Sequence, residues 1–124
     1  MEPGKEFVAL GHAGSEHYAG LESFPNPGVS HVEMVSDELT AVCPITGQPD
    51  FYVASIEFEP VELCLESKSL KLYLARFRDK GAFCEALAVM IRDDVAAVLE
   101  LPPERVTVTL EQKARGGITI TATA

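Results

Sequence analysis

Hydrophobic and polar residues alternate along some stretches of the chain and recur at helical spacing along others. From His31 to Val42, Val32, Met34, Leu39, Ala41 and Val42 are interleaved with polar residues, which predicts a strand. Between Phe51 and Phe58, Tyr52, Ala54 and Ile56 alternate with Phe51, Val53 and Ser55, predicting a second strand. Ser67 has the side chain of an N-cap, and after it Leu70, Tyr73, Leu74 and Phe77 share one helix face. Lys80-Gly81 breaks that helix. A second helix is expected from about Ala82 to Glu100, with Phe83, Leu87, Ile91, Val95 and Val98 on one stripe, stopped by Pro102-Pro103. Val106, Val108 and Leu110 alternate with threonines in a third strand, and Arg115-Gly116-Gly117 turns into a last strand carrying Ile118 and Ile120.

The connections fit this order. Cys43-Pro44-Ile45-Thr46-Gly47-Gln48-Pro49-Asp50 holds two prolines and a glycine, the composition of a structured turn. Residues 1–30 show little periodicity and read as an irregular N-terminal arm ending near Phe24-Pro25-Asn26-Pro27-Gly28, leaving 31–124 as one domain. The order β-β-α-α-β-β predicts an α+β fold: an antiparallel four-stranded sheet with two helices on one face. Such a sheet leaves two edges with unpaired backbone groups, so an oligomer is expected from the pattern itself.

Composition narrows the function. The chain has 124 residues, 47% of them hydrophobic, enough for one packed core. A net charge of −9 argues against broad nucleic-acid binding, which needs a basic footprint. No stretch approaches the roughly 20 apolar residues of a membrane span, and the first residues lack the pattern of a signal peptide, so the cytoplasm is the expected compartment. Cys43, Cys64 and Cys84 form neither a CxxC pair nor an even disulfide framework, and His12, His17 and His31 make no HExxH motif; no metal site is expected.

Three segments carry a family resemblance. They are Leu21-Glu22-Ser23-Phe24-Pro25-Asn26, the turn Cys43 to Phe51, and Glu66-Ser67-Lys68-Ser69-Leu70-Lys71-Leu72-Tyr73-Leu74, with Arg115-Gly116-Gly117 matching in type and order. From about Leu10 to its end the chain resembles the QueF nitrile reductases, whose tunnelling fold assembles from several subunits into barrels. The resemblance implies NADPH as cofactor, 7-cyano-7-deazaguanine as substrate, and a decamer of two stacked pentamers. It implies Cys43 as the nucleophile, whose thiolate adds to the nitrile carbon to give a thioimide, and Asp50 as the proton donor. That role needs burial or a negative neighbour around Asp50. Leu65, Glu66, Ser67, Cys84 and Glu85 correspond to the substrate pocket, with the Glu85 carboxylate accepting N–H bonds from the base edge. Lys68, Lys71, Arg115 and Gly116 correspond to the cofactor site, where cations and free N–H groups at a helix start suit phosphate.

Taken without the family, most of these residues have plainer roles: Cys43 a small buried hydrophobe, Asp50 a turn former, Glu85 a helix-start acid, the lysines a solvated face. One position departs from the family pattern. Phe83-Cys84-Glu85 stands where relatives carry Phe-His-Glu, and a thiol replaces the hydrogen bonding of imidazole poorly. A reversible Cys43–Cys84 disulfide stays open at the level of sequence. The chain also ends right after its last strand, where relatives often extend, so a pocket wall made by such a tail is expected to be missing. The competing functions are a QueF-like amidinotransferase acting on tRNA, against which the full Glu-Ser-Lys-Ser-Leu-Lys motif speaks, and a non-catalytic purine-binding module. A zinc cyclohydrolase of the same fold lacks its ligand pattern here.

Overall fold

The computed structural model describes residues 20–124. The earlier part of the arm, with His12, His17 and the start of the resemblance at Leu10, lies outside the described residues. Four long strands make one antiparallel sheet in the order β2-β3-β5-β6: β2 Val32–Val42, β3 Pro49–Phe58, β5 Val106–Arg115 and β6 Ile118–Thr123. Between β3 and β5 lie α1, Ser67–Ala75, and α2, Cys84–Leu99. The helices cover one sheet face, as the element order predicts. The core lies between them, with Leu39, Tyr52, Ile56, Val108 and Leu110 meeting Leu70, Tyr73, Leu87, Ile91 and Val95. Among the described residues, no helix is long and apolar enough to cross a membrane.

The period of two along β3 does more than build the core. Asp50, Tyr52, Ala54, Ile56 and Phe58 all point to the buried face. Asp50 therefore enters the interior as the first member of an apolar row.

Four local expectations are corrected. Ser23–Pro25, inside the segment expected to be irregular, forms β1 and pairs with β4, Leu63–Leu65, in register Ser23↔Leu65. Each strand is too short to show a period, but fully buried Leu21 anchors this segment. The cap of α1 is Glu66, not Ser67. Its carboxylate accepts the N–H groups of Lys68 at 2.8 Å and Ser69 at 2.6 Å, while Ser67 is the first helical residue and exposed. α1 is also shorter than its apolar stripe. Arg76–Asp79 tighten into a 3-10 turn that still buries Phe77. In α2 the helix starts at Cys84, not Ala82, and Phe83 is 54% exposed as the residue before it. The buried stripe runs instead through Cys84, Leu87, Ala88, Ile91, Val95 and Leu99, with Val98 only half-buried. Glu100 ends α2 in the left-handed conformation, φ 57°, and Leu101 N–H reaches back to Ala96 O at 2.9 Å, closing the helix before the prolines.

Candidate active site

Cys43 follows the last residue of β2, at the mouth of the hairpin to β3. The turn closes on it from both sides. Cys43 N–H donates to Gln48 O and Gly47 N–H donates to Cys43 O, each at 2.8 Å. Gly47 takes φ +73°, a conformation a side chain disfavours. The thiol is half-buried and free. The Thr46 hydroxyl, then the Thr46 and Ile45 backbone N–H groups, hold its pKa below the ordinary value; partial burial and the Asp50 carboxylate pull the other way. Hydrogen bonds that favour the charged form are what a thiol nucleophile requires.

Asp50 lies across the hairpin, paired in register with Ala41 and only 6% exposed. The expected burial is present, but its direct partner is a cation. Arg115, at the end of β5, donates from Nη1 to Asp50 Oδ1 and, at 3.5 Å, to Pro49 O. Its Nη2 donates to Gln48 Oε1 at 2.6 Å. The reach of Arg115 follows from topology. β5 lies beside β3, and the Gly116-Gly117 turn, with φ of +59° and +81°, reverses the chain just beyond it.

The start of α2 is delivered to the same place by a backbone splice. Val42 N–H donates to Lys80 O at 3.0 Å, and Ala82 N–H donates to Val42 O at 3.2 Å. The helix break at Lys80-Gly81 thus docks on the end of β2, and Cys84 and Glu85 follow within one turn. Glu85 is exposed in the first turn of α2. Cys84 is buried, with Sγ 3.8 Å from Leu110 O, and burial, then Glu85, push its thiol pKa up. All three cysteines are free. Tyr52, fully buried, stands among these groups. Burial first, and then the charges of Cys84, Asp50, Glu85 and Cys43, push its hydroxyl pKa up, and it donates to Gln112 Oε1 at 3.2 Å.

A second group gathers at the start of α1. Leu65 is buried in β4, Glu66 caps the helix, and Ser67, Lys68 and Lys71 are exposed. Ser67, Lys71 and Arg78 line a groove of about 340 Å³ between α1 and the β2–β3 face, floored by Met34, Ile56 and Leu70. Among the described residues, no side-chain hydrogen bond or ion pair joins this group to Cys43 and Asp50. Arg115 and Gly116, grouped with the lysines by resemblance, sit instead beside Asp50 and at the β5–β6 tip.

Four residues escaped the sequence reading as site members: Thr46, Gln48, Tyr52 and Glu22. Thr46 carried a signal, since a hydroxyl in a Pro-x-Thr-Gly turn folds back readily. Tyr52 looked like core because it shares the parity of Asp50. Gln48 and Glu22 offered no local signal. The Glu22 carboxyl has a buried oxygen without a hydrogen-bond partner, and burial, then Glu66, raise its pKa. Among the described residues, no cluster of His, Cys, Asp and Glu is arranged to hold a metal ion.

Comparison with known proteins gives the family and the fold. A solved structure, the archaeosine synthase QueF-Like in its apo form, superposes with a TM-score of 0.70 over 78% of this chain and 93% of that one, at 24% identity, a likeness that gives the tunnelling fold. An NADPH-dependent 7-cyano-7-deazaguanine reductase of Frankia casuarinae is 44% identical over 93% of this chain and 91% of its own length. The protein of the same name from Chlorobium chlorochromatii is 47% identical over 82% of this chain and 88% of its own. Residues 49–124 match the sequence model of the family described as QueF-like protein. At this identity over this much of the chain, the protein is a member of the QueF family.

Proposed function

We propose that this chain is an NADPH-dependent reductase that converts the nitrile of 7-cyano-7-deazaguanine to the primary amine of 7-aminomethyl-7-deazaguanine, a step in queuosine synthesis for tRNA. The observation that carries the reading is Cys43, its thiolate favoured by Thr46 and Ile45, held across a tight hairpin from buried Asp50. Relatives that share 44–47% identity bear the reductase name. In this reading the Cys43 thiolate attacks the nitrile carbon. A sulfur–carbon bond forms, one nitrile π bond breaks, and the electron pair on nitrogen takes the proton that the Cys43 thiol passed to the Asp50 carboxylate as the thiolate formed, leaving a thioimide and the carboxylate restored. Glu85, exposed at the start of α2, accepts N–H bonds from the guanine-like edge of the base. Both Glu66 carboxylate oxygens already accept helix N–H groups, so a ligand meets it through the remaining lone pairs.

The residues along α1 suit a phosphate-bearing cofactor. Lys68 and Lys71 are exposed, and Ser67 and Lys71 open onto a groove with Arg78. Lys68 and Lys71 would hold the phosphates as point charges at a helix start. NADPH supplies hydride, and reduction from nitrile to amine uses two such molecules. Assembly completes the reading. The β2 and β6 edges end the sheet, and edge-to-edge pairing into stacked rings of five brings the groups at α1 and at Cys43 together across subunits.

The test is purified protein with 7-cyano-7-deazaguanine and NADPH, read by NADPH absorbance and product mass. Loss of NADPH with formation of the amine is expected. Without NADPH, intact mass should rise by the mass of the substrate, and Cys43→Ala should abolish that adduct. An adduct whose nitrile carbon takes ammonia rather than hydride would assign an amidinotransferase instead; base binding without an adduct would assign a binding module.

A further inference from the structure

By resemblance Arg115 belongs to the cofactor. In the folded chain its guanidinium faces elsewhere, and its three contacts converge on the hairpin that carries the nucleophile. Nη1 donates to Asp50 and to Pro49 O, and Nη2 donates to Gln48 Oε1. Gln48 in turn accepts the Cys43 N–H through its own carbonyl. One side chain from β5 thus grips the far side of the Cys43–Asp50 turn at adjacent residues, a forked geometry that an ammonium cannot reproduce. The same contact sets a positive charge against a carboxylate that faces the sulfur.

We propose that Arg115 is a positioning residue for the nucleophile: by pairing with Asp50 and holding Gln48 it fixes the turn behind Cys43 and offsets part of the carboxylate's repulsion of the thiolate. The groups facing Cys43 support this from each element. Its own turn supplies the Thr46 hydroxyl and the Thr46 and Ile45 N–H groups, which favour the anion. β3 supplies Asp50, which opposes it, and the neutral hydroxyl of Tyr52; Glu85 and buried Cys84 stand at the start of α2. Arg115 is the cation paired directly with Asp50, so its removal leaves the opposing charge unmatched.

The inference rests on Cys43 being the nucleophile of the reading above, but its test needs neither nitrile nor cofactor. The rate at which iodoacetamide alkylates Cys43 is followed across pH in the full chain, with peptide mass spectrometry separating Cys43 from Cys64 and Cys84. Arg115→Gln should raise the pH midpoint by on the order of one unit, because the like charge of Asp50 then faces the thiolate unmatched. At neutral pH the rate should fall about threefold, because a more basic thiolate recovers part of the loss in nucleophilicity. Asp50→Asn should shift the midpoint the other way, downward. The double variant Arg115→Gln/Asp50→Asn should return it to the wild-type value or below, which a merely structural role for Arg115 does not predict. Arg115→Lys keeps the charge but loses the fork, and its midpoint should lie between wild type and Arg115→Gln. A midpoint unmoved by Arg115→Gln, with only the Michaelis constant for NADPH raised, would overturn the inference and return Arg115 to the cofactor, leaving the reductase reading intact. Should Arg115→Gln fail to fold, Asp50→Asn alone decides: an unchanged or higher midpoint sinks the proposal.

Discussion

Single residues at this site work through neighbours close in sequence as much as through the fold. The thiol of Cys43 is poised by Thr46, three residues on, and by the N–H groups of its own turn. Thr46→Val keeps the shape of the side chain and removes the hydroxyl, so the alkylation midpoint of Cys43 should rise toward the ordinary thiol value of 9.0, and adduct formation at neutral pH should slow severalfold. Stopped-flow adduct formation across pH checks this. Glu22 is the opposite case. Its folded carboxyl has a pKa above the ordinary value of 4.5, through burial and then Glu66. Below the unfolded value the group is protonated in both states and costs nothing; as pH rises through the folded value, ionisation beside Glu66 withdraws stability. Glu22→Gln should therefore stabilise the protein at neutral pH and lose that advantage near pH 4, as urea unfolding at the two pH values would show.

At the scale of elements, α1 divides its first turn between a capping carboxylate and exposed side chains. Glu66 closes the helix with two hydrogen bonds, whereas Ser67 does not cap it. Glu66→Ala should cost about 1 kcal/mol of stability, the usual loss of an N-cap, while Ser67→Ala should be nearly silent in the same denaturation experiment. Equal losses would mean the cap is shared. Lys68 and Lys71 carry no such structural duty; both are exposed. Replacing either with alanine should raise the Michaelis constant for NADPH, by roughly tenfold if a charge-assisted bond worth about 1.5 kcal/mol is lost, and leave the Cys43 adduct unchanged. The break between the helices also shapes the candidate site, since Lys80-Gly81-Ala82 joins the end of β2 and brings the start of α2, with Cys84 and Glu85, to the strand end that Cys43 follows.

For the molecule as a whole, the two groups of site residues stand apart within one chain, and the sheet ends at β2 and β6 with its outward face carrying exposed Val35, Phe51 and Ile118. Strand edges and an exposed apolar face call for partners. Light scattering should report a mass several times the 13.4 kDa of the chain. Mixing inactive Cys43→Ala with inactive Glu85→Ala subunits should restore part of the activity if sites are shared between chains. A fully active monomer would defeat the assembly and require the α1 groove to reach Cys43 within one chain.

Periodicity alone determined the four long strands, the two helices and their order, because burying one face imposes a repeat that local sequence must carry. That β3 starts at Pro49 and takes Asp50 inside, where the pattern gave a turn residue before Phe51, only the fold decided. The motifs marked Cys43, Asp50, Glu85 and the α1 lysines through family resemblance rather than through any rule of spacing. Tertiary structure alone decided which of these meet. Arg115 reaches Asp50 across 65 residues of sequence, β1 finds β4, and Glu66 rather than Ser67 caps α1. A cap is settled by rotamers, and a three-residue strand is too short to show a period. A long-range ion pair depends on strand register, and no local pattern of polar and apolar residues encodes which charge will lie opposite which.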